Sequence, residues 1–197
     1  MKRDFAPLSH IPLKPSTSFE HPPEPPELIR LDSPATTVMT DFRFVHPITV
    51  SPAVSIDDAL QGMKTAGVRL LLVTNEAHEI IGLITAKDIQ GEKPIRIIEE
   101  TRVQRSEITV ATIMTPQSDI TVLNMLSVRN AQVGHIIETL RRLERQHTLV
   151  VEVDEADQTQ NVVGLFSMSQ ISKHLGKDVA EEVVPAHSLA EMVHQVR

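Results

Sequence analysis

Two short stretches carry residues whose types and spacing invite chemistry: Gly82-Leu83-Ile84-Thr85-Ala86-Lys87-Asp88 and Gly164-Leu165-Phe166-Ser167-Met168-Ser169-Gln170. In each, an apolar run ends on a hydroxyl, followed three residues later by Asp or Gln. A hydroxyl at a helix N-cap accepts the N–H of the third helical residue, whose acid or amide can bond back to the cap. Thr85 with Asp88 and Ser167 with Gln170 therefore both fit a capping box worth ~1 kcal/mol with no ligand involved. Asp88 is also an acceptor-only anion at a helix N-terminus, whereas Gln170 brings an amide donor and no charge, so the two sites differ in what else they could hold.

Most other chemistry has no foothold. The chain has no Cys, which excludes disulfides, Cys-ligated zinc, iron-sulfur clusters and thiol nucleophiles. G-x-x-x-x-G-K-[ST], G-x-G-x-x-G, H-E-x-x-H and G-x-S-x-G are all absent. The nine His are scattered without metal-ligand spacing. The acidic pairs Glu99-Glu100, Asp154-Glu155 and Glu181-Glu182 read as solvated faces. No catalytic residue, metal or required cofactor is expected, and no enzyme activity.

A net charge of -7 argues against a nucleic-acid partner, because such binding comes mainly from Lys and Arg neutralising phosphates. At 41% hydrophobic and 23% charged, the 197 residues suit a soluble globular protein. Met1-Lys2-Arg3 is followed by Asp4, Pro7, His10 and Pro12 in place of an apolar signal core. Apolar runs such as Leu70 to Val73 fall far short of the ~20 residues that span a bilayer. The expected setting is the cytoplasm, with no membrane partner.

Eight of the 13 prolines precede position 35, so 1–35 reads as an extended arm. The rest contains a repeat. Thr37-Val38-Met39-Thr40 recurs as Thr112-Ile113-Met114-Thr115, and Ile48-Thr49-Val50 as Ile120-Thr121-Val122. Ser55 can cap a helix with Asp58 in capping-box position, apolar residues at Ile56, Ala59, Leu60 and Met63, and Gly67 as terminator; Val133, Ile136, Ile137 and Leu140 repeat that spacing. Each helix precedes two apolar strands, Leu70–Val73 then Ile80–Ile84, and Leu149–Val151 then Val162–Phe166, and a second short helix. Pro94 can open a helix between the copies. The second copy has about five extra residues around Leu123 to Ser127. Past Gly176, Leu189, Met192, Val193 and Val196 have the spacing of a short amphipathic helix. The division is a Pro-rich arm 1–35, a first repeat with linker helix 36–105, a second repeat 106–176 and a helical tail 177–197.

The order Val-Met-Thr, Ile-Thr-Val-Ser-Pro, helix, strand and Gly-Leu-Ile-Thr-Ala-Lys-Asp resembles a CBS domain, and two copies resemble a stand-alone CBS-domain pair, or Bateman module. The resemblance implies an α/β (α+β) fold of two tandem β-α-β-β-α repeats packed sheet to sheet with pseudo-twofold symmetry. It further implies a homodimeric regulatory module binding an adenosine-containing nucleotide (AMP, ADP, ATP or similar) between the repeats and acting on a regulated protein. By the family's pattern Thr85 and Asp88 hold the ribose; a cis-diol offers two donors that one carboxylate can accept. The family would complete that cleft with Ile120 and Thr121, and the opposite cleft, at Ser167 and Gln170, with Thr49 and Val50. Gln170 departs from the pattern and weakens the second cleft. Arg69 and His147 match places where the family often carries phosphate-facing residues. The competing reading is a protein-interaction scaffold with vestigial clefts.

Overall fold

The computed structural model describes residues 12, 14, 15, 17, 18 and 28–175. The expected tail helix and most of the arm lie outside them. The end of the arm runs along the second half, where Ile29 bridges Leu175 and Pro34 bridges Gln132.

The first half comprises β1 (Thr40–Asp41), β2 (Thr49–Val50), α1 (Ile56–Ala66), β3 (Leu70–Thr74), β4 (Ile80–Thr85) and α2 (Ala86–Gln90). A linker helix α3 (Glu92–Thr101) follows, with Pro94 in its first turn as the sequence predicts. The second half comprises α4 (Val110–Ile113), β5 (Thr115–Pro116), β6 (Val122–Asn124), α5 (Met125–Arg129), α6 (Val133–Arg142), β7 (His147–Val153), β8 (Gln160–Ser167) and α7 (Met168–His174). The extra residues after Leu123 form α5, where Asn124 Oδ1 accepts the Leu126 N–H at 2.8 Å.

The helices bury the expected stripes: Ile56, Ala59 and Met63 on α1, and Val133, Ile136, Ile137 and Leu140 on α6. Ser55 caps α1 by accepting the Asp58 N–H at 3.1 Å, but Asp58 takes the Ser55 hydroxyl at 2.8 Å, so only half of the expected capping box forms. Both helices end in the same reversal. After α1, Gly67 at φ 67° donates to Lys64 O and Val68 N to Met63 O. After α6, Glu144 at φ 52° donates to Arg141 O and Arg145 N to Leu140 O. The second repeat thus places a Glu in the left-handed conformation that Gly adopts without steric penalty.

The two four-stranded sheets are ordered β2-β3-β4-β5 and β1-β8-β7-β6. In each, the edge strand beside β4 or β8 comes from the other repeat: β5 pairs β4, with Leu83 opposite Thr115, and β1 pairs β8, with Thr40 opposite Leu165. The recurring Met-Thr pair is this crossing element. A Cβ on Gly82 would lie 2.7 Å from Thr115 O and 2.9 Å from Met114 Sδ; on Gly164, 2.7 Å from Thr40 O and 3.1 Å from Met39 Sδ. The two glycines are where the exchanged backbone passes over the sheet.

Alternation along the strands sends side chains into three cores. Leu71, Val73 and Ile84 join Ile56, Met63 and Ile89 on the first helical face, together with Ile108, Val110 and Ile113 from the start of the second repeat. Val150, Val163 and Phe166 pack with α6 and α7 on the second, together with Ala35 and Val38 from the start of the first. Leu70, Leu72 and Leu83 meet Leu149 between the sheets, flanked by Phe42, Ile120, Val122 and Leu165. The central strands β3, β4, β7 and β8 are therefore covered on both faces over much of their length, and the halves pack sheet to sheet about a pseudo-twofold axis.

Gly82→Ala and Gly164→Ala should each lower unfolding free energy by about 2–3 kcal/mol in urea titration, since backbone oxygens leave no room for the methyl; unchanged midpoints contradict the close crossing. Glu144→Gly should raise it by about 1 kcal/mol by relieving left-handed backbone, and a loss would show that the Glu side chain matters more than its φ.

Candidate functional site

A cavity of about 770 Å³ opens between the halves, where the starts of β3 and β7 face the N-termini of α2 and α7. From the first half it is lined by Arg69, Leu70, Leu83, Thr85, Lys87 and Asp88; β5 adds Thr115, and the second half adds Glu144, Arg145, Gln146, His147 and Ser169. Its volume lies in the range of small-molecule sites.

Thr85 and Asp88 are positioned by the capping box that their spacing predicts. Asp88 N donates to Thr85 Oγ1 at 3.2 Å, and Asp88 Oδ2 accepts the Thr85 N–H at 2.9 Å and its hydroxyl at 2.6 Å. Asp88 Oδ1 lies 2.6 Å from Lys93 Nζ, at the start of α3. The carboxylate is mostly enclosed, with 16% of its side chain exposed, yet it lines the cavity.

The second motif does not mirror the first. No side-chain cap forms at Ser167, whose hydroxyl pairs with Ser169 Oγ at 3.0 Å. Gln170 Oε1 instead accepts the Thr40 hydroxyl of the exchanged strand at 3.4 Å. The capping box that Gln170 could complete as well as Asp is therefore absent, because its amide is drawn to Thr40. Neither Ser167 nor Gln170 lines the cavity.

The ladders also correct the alignment of the repeats. Leu70 is opposite Thr85, and His147 is opposite Ser167, so His147 corresponds to Leu70. Arg69 O accepts the Ala86 N–H as Gln146 O accepts the Met168 N–H, each at 2.9 Å, so the counterpart of Arg69 is Gln146. Similarly, Thr49 faces Leu72 while Val122 faces Leu149, which makes Thr49 the counterpart of Val122 and shifts the Ile-Thr-Val match by one residue. Ile120 packs between the sheets and Thr121 is exposed; neither lines the cavity. Thr49 is exposed and Val50 packs against the first helical core.

The structure does bring Arg69 and His147 together across the halves. Burial, followed by the Arg69 charge, pushes His147 down from 6.5 to about 4, so its imidazole is neutral near pH 7. Among the described residues the Arg69 and Lys87 side chains form no hydrogen bond or ion pair. Arg145 donates to Asp119 O at 3.2 Å. With Asp88 balanced by Lys93, the cationic side chains around the cavity outnumber uncompensated acids. Lys87, Thr115, Arg145 and Ser169 are lining residues that the sequence did not single out for this role. Lys87 sits between Thr85 and Asp88 in the motif, and Thr115 in the recurring Met-Thr pair. Nothing in the spacing marks Lys93, since the helix is interrupted at Gly91 between it and Asp88.

Because the unfolded chain protonates His147 near 6.5 and the folded chain near 4, stability should fall as the pH drops through that window. His147→Gln should remove this slope, so melting temperatures of the two proteins should diverge between pH 7 and 4; parallel curves would contradict the neutral, Arg-facing imidazole.

The family model of the CBS domain matches residues 35–92. Among solved structures, an uncharacterized conserved protein from Pyrococcus horikoshii is 23% identical with a TM-score of 0.52, covering 74% of this chain and 93% of that one. A conserved CBS domain protein of Thermoplasma acidophilum is 16% identical with a TM-score of 0.51, covering 82% and 75%. CBSX2 in complex with AMP is 19% identical with a TM-score of 0.47, covering 72% and 94%. No curated protein matches the chain. Among the described residues no helix is long and apolar enough to cross a membrane. The CBS-domain match covers the first repeat, and the fold of the chain is similar to those of the Pyrococcus and Thermoplasma proteins.

Proposed function

We propose that the chain is a regulatory module that takes an adenosine-containing nucleotide, AMP, ADP, ATP or a related adenosyl compound, in the cavity bearing Thr85 and Asp88. Occupancy passes through a homodimer to a regulated protein, and the module performs no chemistry of its own. One observation carries this reading: a single cavity is lined by an acceptor-only carboxylate at a helix N-terminus, by Arg69 and Lys87, whose side chains form no hydrogen bond or ion pair among the described residues, and by the apolar Leu70 and Leu83. Those are the groups a ribose diol, a phosphate and a purine respectively need. Neutral His147 can still give or take one hydrogen bond there.

The module is read as binding one nucleotide per chain. On the Gln170 side the amide oxygen accepts the Thr40 hydroxyl, and no carboxylate stands in its place. Any response is bounded by the ligand's differential affinity for the two states of the module.

Calorimetric titration of AMP, ATP and S-adenosylmethionine tests the assignment. The expected result is saturable binding near one site per chain, weakened about tenfold to a hundredfold by Asp88→Ala through loss of charge-assisted bonds. Unchanged affinity in Asp88→Ala removes the site; no binding by any nucleotide leaves Thr85 and Asp88 as a helix cap and the chain as an interaction scaffold.

A further inference from the structure

The Asp88 carboxylate is occupied before any ligand arrives. Oδ2 accepts two bonds from Thr85, one from its N–H at 2.9 Å and one from its hydroxyl at 2.6 Å. Oδ1 holds the Lys93 ammonium at 2.6 Å, and the same Nζ donates to the Ile113 carbonyl at 3.0 Å. A carboxylate has roughly four acceptor positions. Three are filled, and a cis-diol with both hydroxyls on Asp88 needs two, so one present donor has to yield. The Thr85 N–H is fixed at the end of β4, and the Thr85 hydroxyl is itself the cap that receives the Asp88 N–H. Lys93 is different: 48% of its side chain is exposed, and a flexible stem can carry its ammonium into water with little loss.

We propose that Lys93 is an internal competitor for the sugar-binding carboxylate, displaced when a ribose diol engages Asp88. This rests on the nucleotide reading of the cavity and goes beyond it by naming the element that senses occupancy. Lys93 belongs to α3, the helix that links the repeats, and its ammonium ties that helix both to Asp88 and to Ile113, just ahead of the exchanged strand β5. Among the described residues these two bonds are the side-chain ties of Lys93, so its departure removes its links to the cavity and to the crossing together. Ile95, one turn into the helix, is 57% exposed, while Pro94 beside it is buried and keeps the helix packed on the first half.

The test uses adenosine, which has the diol but no phosphate, so that removing a cation does not alter phosphate attraction; AMP is titrated in parallel. Lys93→Met keeps the apolar stem, and Lys93→Arg keeps the charge. Lys93→Met should bind adenosine about two- to fivefold more tightly than the unaltered chain, the range that exposed ion pairs convert to, while Lys93→Arg should stay close to it. Raising salt should tighten adenosine binding to the unaltered chain and leave Lys93→Met unmoved, because only the former has an ion pair to screen. If AMP binds the unaltered chain but adenosine binding to Lys93→Met is equal, weaker or undetectable, the competitor role is overturned and the nucleotide reading survives. If AMP binds neither protein, the nucleotide reading falls and takes this role with it.

Discussion

Each half of this molecule borrows the strand that closes its sheet. The Met-Thr segment at the head of one repeat crosses to the other, where it lies so close over β4 or β8 that only a glycine fits beneath it. The apolar turns preceding these strands are buried in the core of the opposite half: Ala35 and Val38 in the second, Val110 and Ile113 in the first. A half of about 65 to 70 residues has little core to stand on alone. The exchange makes the cores mutually dependent, and it fixes the separation of the sheets across Leu72, Leu83 and Leu149.

The cavity follows from that geometry. Its walls are strand starts and helix N-termini from both repeats, brought face to face by the pseudo-twofold packing. The symmetry of the backbone is not matched by the side chains. On one side Asp88 draws Thr85 and Lys93 around it; on the other Gln170 is drawn to Thr40. A neutral amide satisfied by a neighbouring hydroxyl needs no counter-ion, whereas a mostly enclosed carboxylate requires compensation from charge and hydrogen bonds. That difference, one residue in each copy, makes the two sides chemically distinct.

Local features were legible in the sequence because they rest on local physics. The stripes of α1 and α6, the Thr85–Asp88 capping box, Pro94 in the first turn of α3 and the two apolar strands that follow each long helix are all read from residue types and spacing. What the sequence withheld depends on partners distant along the chain. Motif matching equated Arg69 with His147, but hydrogen-bonded register equates Arg69 with Gln146; the apolar strands tolerate a one-residue slide on paper that the ladder does not allow. The strand exchange left only a repeated Met-Thr as its trace. Gln170 fitted a cap as well as Asp until the structure placed Thr40 beside it. Lys93 reaches Asp88 across a break in the helix, where no periodic rule applies.

The central claim is that a single carboxylate in the shared cavity receives the sugar of an adenine nucleotide. A crystal structure of the protein grown with AMP tests it most directly. The account predicts one nucleotide per chain, its ribose hydroxyls within hydrogen-bond distance of Asp88 and its phosphate toward Arg69 and His147. A nucleotide seated beside Gln170, or one whose ribose makes no contact with Asp88, would contradict it.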